Sequence, residues 1–382
     1  MMSNESQALT LWIPELLSKG RVQESDQFFQ QSFPALQTLL SKAQKLPLPQ
    51  KVSGEAAFYR MASYLAHQAD MLPIAVTQAM AEVPEFESHK ADFWVKVDPV
   101  QMVPDRDTLL MMPQSGLNIS VEEAQSLIRA FNAHFAQENI ELIYGSPYSW
   151  YLSVVQSVDL KTCPLSDATM RPLMGCNPQG HAASYWLKLM NETQMLFYTH
   201  PVNEARREAG RPEINGVWIW GEGVLSFEQL KTKPEMKICT QQGELALVAQ
   251  TENYLQGLAK AIDARFQSAL PSLTQNVEKT DKHLEKSQNS QFRMAFLPEW
   301  EAGHQIWVLN ELMAQLGHLT EEDWIEVLHY LESCYFQPLL ERMQQGKLHS
   351  LLLVLGDDHL YHLEPKDLKR FWRWKRSLKK LF

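Results

Sequence analysis

Residues 200–223, HPVNEARREAGRPEINGVWIWGEG, decide how the chain is read. His200 precedes a proline, and the residue before proline disfavours the helical region, so the helical pattern of residues 184–198 stops there. Pro201 suits the first turn of a second short helix. Gly210 suits its end, where a left-handed glycine commonly closes a helix. "INGVWIW" then reads as a buried strand that delivers Gly221-Glu222-Gly223 at its end. This helix, turn and strand bring His200, Asn203, Arg206, Asn215, Gly221 and Gly223 into one short span. An arginine and side-chain amides beside a glycine turn offer bidentate geometry to a phosphate or carboxylate. The alternative is internal: Asn203 and Asn215 satisfy loop backbone groups that would otherwise be buried unpaired.

On either side of this stretch, helices alternate with short apolar strands. "ALTLWI", "ADFWVKVDPVQM", "DTLLMM" and "IELIYGSPYSWYLSVV" carry strand-like patterns, the last broken by a Gly-Ser-Pro turn. Ser120 with Glu123 three residues on is a capping box at the head of a helix with Ala124, Leu127, Ile128, Phe131 and Phe135 on one face. Thr320 and Asp323 form a second such pair. Residues 33–45 and 55–82 read as helical, with Pro73 as a break, and the polar run 271–291 reads as a loop. "LLLVLGDDHLYHL" is the strongest strand signal; across its Gly-Asp turn it has the alternation of a hairpin. A basic, aromatic helix is expected from Pro365 to the end. Such alternation points to an α/β architecture.

With 45% apolar and 21% charged residues, the chain is ordinary for a folded protein, and 382 residues allow more than one domain. The net charge is −10, yet Lys366–Phe382 holds eight cations and one acid, which leaves −17 on everything before it. An acidic body argues against nucleic-acid binding along a broad face, because phosphate affinity comes from clustered cations. The tail itself has Leu368, Phe371, Trp372 and Leu378 near one helical face, which suits docking on the body or, alternatively, an anionic surface. No basic segment precedes the first apolar run, and no apolar stretch approaches a membrane span, so cytoplasmic residence is expected. Cys163, Cys176, Cys239 and Cys334 lack C-x-x-C spacing and suggest neither a zinc knuckle nor a disulfide framework.

The order His200, Pro201, Asn203, Arg206, Gly210, Asn215, Gly221, Gly223 resembles the corresponding segment of archaeal-type cofactor-independent phosphoglycerate mutases. Trp218 and Trp220 strengthen a likeness to the bacterial RpfE-type regulatory proteins, as do "VDPVQMVPDRDTLL" and "KDLKRFWRWKRSL". The resemblance implies an alkaline-phosphatase-like core sheet flanked by helices, with a smaller inserted α+β domain. Core residues would be 1–91 and 216–382, and the insertion 92–215. It also implies two divalent metals and a serine nucleophile, and two close cations need several carboxylates and imidazoles to hold them.

Position by position, that machinery is incomplete. Ile13 and Pro14 stand where the first metal-binding Asp follows the first strand, and Trp300 replaces the acid that would partner His304. Asp358 and His359 fit the late Asp-His, with His362 nearby. Ser63 is the weak counterpart of the nucleophile, and Trp220 occupies the place of the substrate-loop Arg. The sequence therefore suggests a catalytically degenerate relative with a regulatory or small-anion-binding role, taking a phosphorylated or carboxylated ligand and no cofactor. The alternative is a metal-dependent phosphotransferase using Mn or Zn, with ligands among Asp98, Asp105, Asp107, His304, Asp358 and His359. A second alternative is an adaptor for nucleic acid or membrane acting through the tail.

Overall fold

The computed structural model describes residues 7–18, 22, 26–48, 55–89, 93–105, 108–155, 157–170, 173, 175–241, 246–272, 303–315, 319–370 and 375–381. Among these the strands in chain order are β1 (Gln7–Trp12), β2 (Gln44–Pro47), β3 (Phe93–Val100), β4 (Met102–Asp105), β5 (Thr108–Met111), β6 (Ile140–Ser146), β7 (Ser149–Val154), β8 (Gly216–Gly223), β9 (Met236–Gln241), β10 (Arg265–Leu270), β11 (Gly303–Val308), β12 (Ser350–Val354) and β13 (His359–Leu363). The described strands form a seven-stranded sheet, β10-β9-β11-β1-β12-β13-β2, a four-stranded sheet, β6-β7-β3-β8, and a β4-β5 ribbon. Two compact units result: residues 1–51, 233–252 and 263–382, and residues 52–232 with 253–262. This division takes residues 52–91, 216–232 and 253–262 with the second unit, where the resemblance implied an insertion of residues 92–215.

In the first unit, β1 pairs in parallel with β11 and β12, and β9 pairs in parallel with β10 and β11. β13 and β2 run antiparallel at one edge. Side chains alternate along a strand; Leu9 and Leu11 join Leu351, Leu353 and Trp307 in the main apolar cluster. Helices Pro34–Lys42, Glu321–Leu331 and Gln337–Gln344 add Leu36, Leu39, Leu328, Leu331, Leu339 and Met343 to it. The expected Thr320–Asp323 capping box is formed. A π-helical turn, Glu332–Phe336, sets the Glu332 carboxylate on the N–H groups of Ala35 and Leu36 at 2.5 and 3.0 Å, capping a helix that has no side-chain cap of its own.

The tail departs from the expected basic helix. Among the described residues of the tail, helix spans Pro365–Leu368, with a short 3-10 turn at Leu378–Lys380. Leu378 and Leu381 are buried in the main cluster. The Lys42 ammonium donates to the Arg370 carbonyl, and the Arg376 N–H donates to the Ser41 hydroxyl. Seating both leucines while meeting these bonds decides the path of residues 375–381 more than helical periodicity does. Phe371 and Trp372 lie outside the described residues, as does most of 271–291. No described helix is long and apolar enough to cross a membrane.

The second unit is built on β3, FWVKVDPV, buried along its whole length between β7 and β8. The helix Val121–His134 has both halves of the Ser120–Glu123 capping box. Ala183–Tyr198 buries Trp186, Leu189, Met190 and Phe197. The helical stretch 55–82 breaks around Pro73 into Glu55–Leu65 and Ile74–Glu82. One expectation about the cysteines is overturned: Cys163 and Cys176 are disulfide-bonded, Cα to Cα 5.2 Å, while Cys239 and Cys334 are thiols. Twelve intervening residues give no spacing signal; only the fold of the loop brings the two together.

Candidate functional site

The opening stretch folds as its punctuation dictates. The His200 ring caps the helix Pro201–Glu208, its Nδ1 accepting the Val202 N–H at 3.2 Å. Burial first, and then the Arg129 cation, hold its pKa below the ordinary imidazole value. Asn203 is fully buried. Its amide donates to the carbonyls of Phe197 and Ile214, and its oxygen accepts the Ile214 N–H, all at 2.8 Å. Asn215 does the same for Met102, accepting from its N–H and donating to its carbonyl at 2.8 Å each.

Arg206 is the most heavily engaged side chain of the group. Nε and Nη2 fork onto the Glu123 carboxylate at 2.9 and 2.6 Å. Nη1 donates to the carbonyls of Leu117 and Pro212 at 2.8 Å, and Nη2 donates again to Asn118 at 3.3 Å. A guanidinium has five N–H donors, so every one is used by the fold. Glu123 serves three roles: capping-box partner, counter-ion to buried Arg206 and acceptor from half-exposed Arg211 at 3.1 Å. Burial alone would raise its pKa, but hydrogen bonds from Arg206 and the Ser120 N–H, with the charges of Arg206 and Arg211, bring it below the usual carboxylate value.

Gly221 and Gly223 are glycines because a neighbour is close. A Cβ on Gly221, whose φ is +68°, would lie 3.1 Å from the Ile74 Cβ; one on Gly223 would lie 2.6 Å from the Pro73 Cβ. What approaches the pair is thus the head of the helix Ile74–Glu82. Trp220 is buried, and its indole N–H donates to Asp98 at 2.6 Å. Asp98 also faces Lys96 at 3.2 Å, both fully buried. Lys96 donates to Ser149 and lies over the rings of Tyr151 and Trp220. Desolvation pushes the Asp98 carboxyl above its ordinary pKa despite Lys96 and Trp220. The same cause raises Glu82, which accepts from Tyr151 and Asn253. This network was legible in part: Lys96 and Asp98 stand two apart in an apolar strand, which puts them on one face.

In open α/β sheets, ligands bind beyond the carboxyl ends of the parallel strands. In the first unit, β1 runs into Ile13, Pro14 and Glu15, β9 ends on Thr240 and Gln241, and β11 runs into Asn310 and Glu311. The Thr240 hydroxyl donates to the Asn310 oxygen at 2.9 Å, and the Asn310 amide donates to Thr251 at 2.9 Å. Gln241 accepts the Glu311 N–H at 3.1 Å, and Ser272 donates to the Glu311 carboxylate at 2.9 Å. These three strand ends therefore carry apolar, hydroxyl and amide groups and two carboxylates, Glu15 and Glu311, among them. Sequence reasoning missed Thr240, Gln241, Asn310 and Glu311, since amides at strand ends fit no motif.

β12 alone ends in paired acids. Asp357 is largely buried, with Oδ2 accepting from Tyr361 at 2.6 Å and lying 3.4 Å from the His359 ring, while Oδ1 has no hydrogen-bond partner. Burial raises its pKa. The β12–β13 hairpin forms as its alternation predicts. The three proposed metal ligands do not meet. His304 sits near the start of β11, level with Ala8 and thereby with Ser350, and bonds to Thr10 at 3.0 Å. Asp358 and His359 follow the far end of β12, roughly 13 Å further at the usual strand rise. Register, which sequence does not display, separates them. His362 bonds to Ser350 at 3.1 Å. Ser63 is buried, bonded to the Tyr59 carbonyl, the Tyr254 hydroxyl and the Leu72 N–H. Asp105 is exposed, and Asp107 and Trp300 lie outside the described residues. Among the described residues, no group of three or more His, Cys, Asp or Glu side chains is gathered for a metal ion. Among the described residues, these candidates do not fit a dinuclear centre.

Part of this chain is similar in sequence to known proteins. A family model described as 2,3-bisphosphoglycerate-independent phosphoglycerate mutase matches residues 85–203. A probable enzyme of that name from Geobacter sulfurreducens is 29% identical over 139 residues, 36% of this chain and 35% of that protein. The match thus spans about a third of the curated relative's length. The structure of PH0037 protein from Pyrococcus horikoshii matches with a TM-score of 0.52 at 11% identity, over 94% of this chain and 88% of that one. A cofactor-independent phosphoglycerate mutase from Thermoplasma acidophilum gives 0.49 at 11% identity, over 98% and 94%. The sequence matches relate this chain to the phosphoglycerate mutases, and the structural likeness concerns its α/β fold.

Proposed function

We propose that this chain is a phosphoglycerate-mutase-like protein whose phosphoryl-transfer chemistry has lapsed, and that it acts in the cytoplasm as a binding or regulatory protein of the RpfE type. The observation that carries this reading is the separation of His304 from Asp358 and His359 along the sheet. Hard divalent cations in transfer geometry need several anionic oxygens held rigidly together. The ends of β1, β9 and β11 supply Ile13, Pro14, Thr240, Gln241 and Asn310, with Glu15 and Glu311 as their carboxylates. Trp220, at the position where the resemblance implies a substrate-binding arginine, is turned to Asp98. A small phosphorylated or carboxylated ligand remains the proposed partner, recognised by groups other than Arg206, whose donors are all engaged.

The test is incubation of the purified protein with manganese or zinc and 3-phosphoglycerate. No conversion to 2-phosphoglycerate is expected; turnover comparable to an archaeal-type mutase run in parallel overturns the proposal. A second reading, a metal-dependent phosphotransferase, draws on one observation: the unpartnered Asp357 oxygen beside Asp358 and His359. A stoichiometric divalent metal in the purified protein, lost on Asp358→Ala, would favour it.

A further inference from the structure

We propose that Cys163 and Cys176 form a reversible thiol–disulfide exchange site that sets how firmly one loop is held against β8. This stands apart from the proposed binding role, because it rests on other residues and is tested without a ligand.

The loop is closed twice at its base. Lys161 and Gln179 exchange backbone hydrogen bonds in both directions, at 2.9 and 2.8 Å. Just inside that bridge, Cys163 and Cys176 are crosslinked. The bridge already brings the arms together, so the disulfide is not needed to find the partner; it fixes arms that two backbone bonds alone would let open. Both cysteines are half-buried, as is Cys334, whereas Cys239 is fully enclosed. Access and thiolate fraction govern such exchange.

What the crosslink holds is specific. The Cys163 carbonyl accepts the Trp218 indole N–H at 2.9 Å. The adjacent Thr162 gives its N–H, at 3.1 Å, and its hydroxyl to the Glu222 carboxylate. Trp218 and Glu222 both belong to β8, and Glu222 lies between Gly221 and Gly223. On the other arm, the Met170 N–H donates to the Met111 carbonyl at 3.0 Å, tying the loop to β5. Oxidation thus locks residues 162–163 onto the end of β8, and reduction releases the Cys176 arm while leaving the Lys161–Gln179 bridge.

The exchange partner is a low-molecular-weight disulfide of the glutathione class. One cysteine thiolate attacks a sulfur of the oxidised compound, forming a mixed disulfide and expelling one small thiolate. The second cysteine thiolate then attacks the protein-side sulfur and expels the other. Two protein thiols are oxidised, one small disulfide is reduced to two thiols, and the two protons released by the protein go to the departing thiolates.

The full-length protein is equilibrated in a series of reduced-to-oxidised glutathione ratios, quenched by alkylation and read peptide by peptide. Cys163 and Cys176 are expected to convert together and reversibly within that series, with Cys239 remaining a thiol. In parallel, amide hydrogen exchange is followed at residues 157–170, 175–182 and 218–223. Reduction should speed exchange there by on the order of tenfold or more, as expected when a short-loop crosslink is lost, with β3 and β7 unchanged. Cys163→Ser and Cys176→Ser should each give the reduced pattern in every buffer. A pair that stays oxidised or stays reduced at all ratios, or equal exchange in the two states, overturns the proposal.

Discussion

Residues 200–223 and the turn after β12 both carry polar side chains in motif-like order, but the fold treats them differently. In the first, Asn203, Arg206 and Asn215 spend their hydrogen bonds on neighbouring backbone and Glu123. In the second, Asp357 keeps an oxygen without a partner, and the His359 ring is 42% exposed. A polar residue in an ordered motif can be scaffold or site, and the bonds left over decide which. By that measure the stretch with the stronger family likeness is scaffold, and the unspent polar capacity lies at the hairpin.

Arg206→Ala is the sharpest way to break this contrast. It leaves the Glu123 carboxylate and the carbonyls of Leu117, Asn118 and Pro212 without their donor, a loss of about 3–5 kcal/mol expected for a buried ion pair missing one partner. Arg206→Lys should recover only part, since a point charge cannot fork onto a carboxylate and three carbonyls. Urea unfolding followed by tryptophan emission measures both; a cost below about 1 kcal/mol for the alanine variant would return Arg206 to the candidates for ligand binding.

A smaller effect concerns pH. The folded-state pKa of Glu123 lies below its ordinary value of 4.5, so its contribution is complete above that value and is lost as pH falls through the folded-state pKa. Glu123→Gln should cost about 1–3 kcal/mol at neutral pH, and the cost should shrink as wild type is acidified below 4.5. A cost that does not vary with pH would mean that shape, not charge, holds Arg206.

Asp357→Asn should change stability least, within about 1 kcal/mol. Burial raises the wild-type pKa, so the folded protein favours the protonated acid, and that preference is lost as pH rises through the folded-state value. The amide should therefore be neutral or mildly stabilising at pH 7 and lose any advantage in acid, as thermal unfolding at the two pH values would show. A large loss would make Asp357 a structural anchor like Arg206 and erase the contrast.

Much of the fold was legible because it is local. Proline and glycine punctuate the helix–turn–strand at 200–223, the Ser120–Glu123 and Thr320–Asp323 boxes start their helices, and alternation marks the β12–β13 hairpin. The tail was misread because its path follows the burial of Leu378 and Leu381, a tertiary demand that overrides its helical spacing. The site was less legible still. His304 and Asp358 look like co-ligands in a linear motif, yet strand register puts them at opposite ends of the sheet.

The sequence by itself determined several helices, strands, caps and turns, and the apolar Ile13-Pro14 directly after β1, because propensity, steric limits at proline and glycine, and side-chain identity act within a few residues. Only the tertiary structure decided that Arg206 has no donor left, that Cys163 meets Cys176, and that the metal candidates diverge. Those outcomes depend on which distant groups share one small volume, and there every buried donor must find an acceptor before any remains for a ligand.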